Sequence, residues 1–112
     1  MVEAAAFIAA ALMHFGILVD HYQHRQAGRA ESVIGIVLLA GLILTLIRPS
    51  WTNRIGVWVQ AFALLGTLVG IYTIAVGVGP RTMPDIVYHA CIVVVLLAGL
   101  TVSVRAQGAR KV

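Results

Sequence analysis

An all-α integral membrane protein, a four-helix transmembrane bundle, is the fold class this sequence predicts, and three observations predict it. Hydrophobic residues make up 61% of the chain and charged ones only 11%, whereas a soluble domain carries about 25% charged residues and needs them to cover its surface. Mean hydropathy is +0.98. The apolar residues also fall into four runs near bilayer length, separated by proline, glycine and charge. Backbone polar groups find no water in hydrocarbon, so each run is expected to be helical. A chain of 112 residues holds one domain.

The first run, residues 4–19, is alanine-rich and interrupted only by His14. Crossing the hydrocarbon takes roughly 20 residues at about 1.5 Å each, which predicts a first helix over about 2–20. Its start, Met1-Val-Glu3, lacks the basic n-region of a secretory signal, and no small-residue cleavage site stands before Asp20. The second run, 33–47, is stopped by Arg48-Pro49 and is short. A helix over about 30–48 therefore borrows Arg29 to Ser32 as an interfacial first turn, with Arg29 snorkelling. Pro49 to Asn53 then forms a turn, and the third helix is expected over about 53–78, ended by Gly79-Pro80. Thr82-Met-Pro-Asp85 reads as a capping box, with Thr82 as N-cap and Pro84 in the first turn, opening a fourth helix over about 83–105.

Helix three carries Gly56, Ala63, Gly70 and Gly77 at a seven-residue spacing, and Gly66 with Gly70 forms a GxxxG pair. Small residues let backbones approach where no hydrophobic force draws helices together, so this helix is expected at the centre of packing. Val37-Leu-Leu-Ala-Gly-Leu42 recurs as Val95-Leu-Leu-Ala-Gly-Leu100, each followed by an arginine. That recurrence raises a second expectation, two duplicated helical hairpins.

The formal charge is +4, but the basic residues sit singly or in pairs at the ends of apolar runs, as membrane proteins keep them. Lipid is the expected partner and nucleic acid is not. With four crossings, Arg48, Arg54, Arg105, Arg110 and Lys111 share a side with both termini, against Arg25, Arg29 and Arg81 opposite. The positive-inside rule then places both termini in the cytoplasm of a multi-pass protein. The single cysteine, Cys91, lies within an apolar run and excludes an internal disulfide.

Ionisable groups within membrane segments are expensive and ask for a functional reading. His14 and His89 approach the same membrane face, and each is expected in the bundle interior. Asp20 precedes His24 by four residues, as Asp85 precedes His89, so each carboxylate is expected to reach its histidine. His14 and His21, seven apart, share a face if the first helix continues that far. Two facing histidines, His14 and His89, suit a b-type haem. The wider set His14, Asp20, His21, His24, Asp85 and His89 suits a divalent metal. The plainer reading has His14 and His89 bonded to partners such as Tyr72 or Tyr22. Gln60 is expected as interhelical glue.

No serine–histidine–acid set, phosphate-cradling glycine loop or acidic pair points to an enzyme. Three functions follow: a small non-enzymatic membrane protein acting as an accessory subunit of a larger complex; a haem- or metal-binding redox protein; and a small oligomeric proton-coupled transporter.

Overall fold

The computed structural model describes residues 1–20 and 23–110. Four helices follow one another: α1, Val2–His14; α2, Arg25–Ile47; α3, Thr52–Ala75; and α4, Met83–Ala109, with a 3-10 turn, Pro49–Trp51, leading into α3. No strand occurs among the described residues. Three helices are long and apolar enough to cross a membrane: α2, α3 with its leading turn, and α4. α1 is not, because its 13 residues rise about 20 Å against roughly 30 Å of hydrocarbon.

The short α1 corrects the expectation of a helix to residue 20. The apolar run goes on to Val19, but the chain turns at Gly16, whose φ is +74°. Ile17 N–H donates to the Leu12 carbonyl at 3.0 Å and Gly16 N–H to the Met13 carbonyl at 2.9 Å. These two bonds are the Schellman pair, which needs a left-handed residue that glycine supplies without a Cβ clash. α3 ends the same way, three residues before the expected 78. Gly77 has φ +84°, and Val78 and Gly77 N–H donate to the Thr73 and Ile74 carbonyls at 2.9 and 3.2 Å.

α2 begins at Arg25, not near 30, because His24 caps it: the imidazole Nδ1 accepts the Ala27 N–H at 3.2 Å. At α4 the capping box forms, with Thr82 and Asp85 each accepting the other's backbone N–H. This helix runs past Arg105 to Ala109.

Each helix packs on the next in the chain, and α4 meets α1 over a short stretch. The core is thin. Phe7, Ala63 and Leu96 are essentially sealed, with Ile34, Leu38 and Ile92 around them. Large apolar side chains face outward on every long helix, among them Leu46, Trp58, Leu65, Val94 and Val102. So much outward hydrocarbon is far beyond the patches a water-exposed surface carries.

The small residues sit where helices meet. A Cβ on Gly56 would lie 2.7 Å from Ser103 Oγ, and one on Gly70 would lie 3.1 Å from His89 Nε2, both groups of α4. Gly66 instead faces Ile34 of α2. Gly56 and Gly70 of the seam thus look at α4 and the GxxxG partner Gly66 looks at α2, which puts α3 between them.

Candidate functional site

α1 stops at the residue that matters most. His14 is the last residue of the helix, and the His24 N–H donates to its carbonyl at 2.8 Å. The start of α2 is thereby brought back beside the end of α1. Glu31 follows two turns into α2, and Asp85 lies in the first turn of α4.

These three side chains meet. His14 Nδ1 lies 2.6 Å from Glu31 Oε2, and its Nε2 lies 3.0 Å from Asp85 Oδ1. All are withdrawn from the surface, with exposures of 3% for His14, 5% for Glu31 and 4% for Asp85. The second Asp85 oxygen, Oδ2, accepts the Thr82 N–H at 3.2 Å and the Thr82 hydroxyl. One carboxylate therefore caps its own helix and ties α4 to α1.

A neutral imidazole has one N–H, whereas an imidazolium donates from both nitrogens. Facing two carboxylates, His14 fits the charged ring, or a neutral ring with a proton on one of the acids. With the ring charged and both acids ionised the set of three side chains carries one net negative charge. One further proton makes it neutral. Losing the shared proton would leave two negative charges in an apolar bundle, the costliest state.

Beside the cluster, between α2, α3 and α4, lies a cavity of about 140 Å³. His24, Gln26 and Val78 to Pro80 line its loop end, while Ile34 and Gly66 line the inner end. From Gln26 to Ile34 along α2 that is about 12 Å at 1.5 Å per residue. Glu31, Thr67, Tyr88 and His89 stand between. Glu31 Oε1 and the Tyr88 hydroxyl are buried without a hydrogen-bond partner. The Tyr88 ring packs edge-on against Phe7 and His89, with centroids 6.1 and 5.4 Å away.

His14 and His89 do come together at one end of the bundle, joined through Asp85. His14 takes the carboxylate, but His89 Nδ1 donates to the Asp85 backbone carbonyl at 2.7 Å. The expected Asp85 carboxylate contact to His89 is thus replaced by a main-chain one. Both nitrogens of His14, one of the expected haem pair, are engaged by acids. Among the described members of the six-residue metal set, His14 and Asp85 are joined by a hydrogen bond. His24 spends Nδ1 on its own cap, and its Nε2 donates to the Val78 carbonyl at 3.3 Å. Asp20 is exposed on the turn before α2 rather than one helical turn from His24. His21 and Tyr22 lie outside the described residues. Among the described residues no three His, Cys, Asp or Glu side chains are gathered to hold a metal ion. Tyr72 is 67% exposed and is no partner to His14.

Glu31 is the residue the sequence reading missed. Treating Arg29 to Ser32 as an interfacial turn hid it. The signal was there: Glu31, Ile34, Leu38 and Gly41 form one buried stripe of α2 at helical spacing. A carboxylate on such a stripe is a site by default. Toward the other end, Gln60 Nε2 donates to the Glu3 carboxylate, linking α3 to α1 as interhelical glue.

No protein-family model matches the chain, and neither a curated protein nor a solved structure matches it.

Proposed function

We propose that this chain is a non-enzymatic, multi-pass integral membrane protein whose Glu31–His14–Asp85 cluster is a proton-binding centre, the working part of a small proton-coupled transporter. The observation that carries the reading is His14, buried with a carboxylate oxygen against each ring nitrogen. A purely structural polar contact needs one such bond, and the second acid adds a charge that proton uptake relieves. Histidine with carboxylates is suited to take up and release protons near neutral pH.

The membrane placement rests on the three long apolar helices and their apolar outward faces. α1 completes a four-helix transmembrane bundle as its short member. Both termini are cytoplasmic on the count of basic residues. The offset that aligns Val37–Leu42 with Val95–Leu100 also aligns the caps His24 and Thr82 and the first residues of α2 and α4, which supports duplicated hairpins. Four helices this slender enclose little, so the transporter works as an oligomer of itself.

Infrared difference spectroscopy on the protein in lipid bilayers tests the reading. A carboxyl C=O band should appear as pH falls, and the Glu31→Gln and His14→Gln variants should each alter or remove it. A wild-type protein with no titrating carboxyl band across the physiological pH range would overturn it.

A further inference from the structure

At the end of the bundle opposite the cluster, arginines gather without acids. An open cleft of about 370 Å³ lies where the Pro49–Trp51 turn and the start of α3 meet the end of α4. Ser50, Trp51, Asn53, Arg54, Gln107 and Arg110 line it, and among the described residues no carboxylate does. Arg110 gives one Nη1 proton to the Ser50 carbonyl at a long 3.5 Å, and a guanidinium has five N–H donors. Arg54 has no hydrogen-bond or ion-pair partner among the described residues. Arg48 adds a third positive group at the rim, its guanidinium carbon 5.2 Å from the centre of the Trp51 ring. Of the four acids in the chain, only Glu3 lies toward this end. It accepts from Gln60 in a separate groove lined by α1, α2 and α3.

The cleft also opens onto hydrocarbon. Arg54 is the last residue before the apolar run of α3. Trp58, one turn deeper on the same helix face, is 72% exposed. On α4, Val104 stands one turn deeper than Gln107 and is half exposed.

We propose that this cleft is a binding site for an anionic phospholipid, with its phosphate on the Arg54 and Arg110 guanidinium groups and an acyl chain running past Trp58 and Val104. Three observations converge on that ligand. The two guanidinium forks, unneutralised by any acid in the lining, match phosphate oxygens in charge and in paired donor geometry. A cleft without a carboxylate has nothing to receive the ammonium of a zwitterionic headgroup, whereas the Asn53 and Gln107 amides can bond the hydroxyls of a neutral one. The exposed side chains one turn deeper call for hydrocarbon joined to the phosphate, which a free phosphate lacks. The site rests on the membrane placement and not on the proton centre. On that placement it faces the cytoplasmic leaflet, where anionic lipids are found.

The chain has two tryptophans, and both stand at this cleft, so their fluorescence tests the site directly. The full chain is reconstituted in mixed vesicles of phosphatidylcholine and phosphatidylglycerol, with bromine on the acyl chains of one lipid or the other as the quencher. Brominated phosphatidylglycerol should quench well beyond its mole fraction. Arg54→Gln and Arg110→Gln should each lower that preference by about fivefold, the equivalent of about 1 kcal/mol per arginine. Replacing both by lysine keeps the charges but removes the forks, and should also lower the preference, by at least about twofold. Arg29→Gln, at the opposite end, should leave it unchanged, and inorganic phosphate should not displace the lipid. Equal quenching by the two brominated lipids, indifference to both glutamine variants, or full retention by the lysine pair would overturn the site while leaving the membrane placement intact. Displacement by inorganic phosphate would overturn the lipid in favour of a soluble phosphate. Tryptophans quenched by neither brominated lipid would overturn the membrane placement and the site together.

Discussion

Replacing His14 with leucine would leave Glu31 and Asp85 facing a hydrocarbon side chain. The damage is unequal. Asp85 keeps its bonds to Thr82, whereas Glu31 Oε2 loses its bond to His14 and Oε1 has none to begin with. Neutral interhelical hydrogen bonds in membranes average only about 0.6 kcal/mol. Bonds to charged groups contribute about 1.5–3 kcal/mol each, and breaking a buried pair costs about 3–5 kcal/mol. Protonation of the orphaned acid limits the loss, so His14→Leu is expected to cost about 3 kcal/mol near neutral pH. The penalty should shrink as pH falls, because a protonated carboxyl is cheaper to bury than a carboxylate. Adding Glu31→Met removes the orphaned charge and should restore at least about 1 kcal/mol, a clear departure from additivity. Reversible unfolding in bicelles by denaturing detergent, measured at two pH values, gives all three numbers. A His14→Leu variant within about 0.5 kcal/mol of wild type, or strict additivity with Glu31→Met, would refute the claim that the cluster is held by its charges.

Gly70→Leu should destabilise by about 1–3 kcal/mol through overpacking. A Cβ there already lies 3.1 Å from His89 Nε2, and an unchanged thermal midpoint in detergent would place that face of α3 elsewhere. Gly16→Ala should cost more than Gly77→Ala in the same assay. Both lose a left-handed glycine at about 1–2 kcal/mol, but only Gly16 has side-chain atoms, those of Gln23, within 2.8 Å of the new Cβ. Equal costs would show that Gln23 yields freely. Reporter fusions after the C-terminus and at Gly28 should report opposite sides of the membrane, and a shared side would overturn the four-crossing arrangement.

Much of the fold is local and was legible for that reason. Four apolar runs, the Pro49 turn and the Thr82–Asp85 capping box depend on residues close in the chain, and each announces its element. Two positions of the seven-residue seam, Gly56 and Gly70, likewise named contacts of α3 before any partner was known. Helix ends inside apolar runs were not legible, since hydrophobicity is blind to a left-handed glycine. Gly16 and Gly77 therefore stop α1 and α3 where composition would carry them on. The site was half legible: His14, Asp85 and His89 stood out as ionisable groups near one face. Their pairing rests on contacts spanning 17 residues, from His14 to Glu31, and 71 residues, from His14 to Asp85. Only the packing of α1, α2 and α4 decides which acid meets which nitrogen. That packing also leaves one Glu31 oxygen buried without a partner.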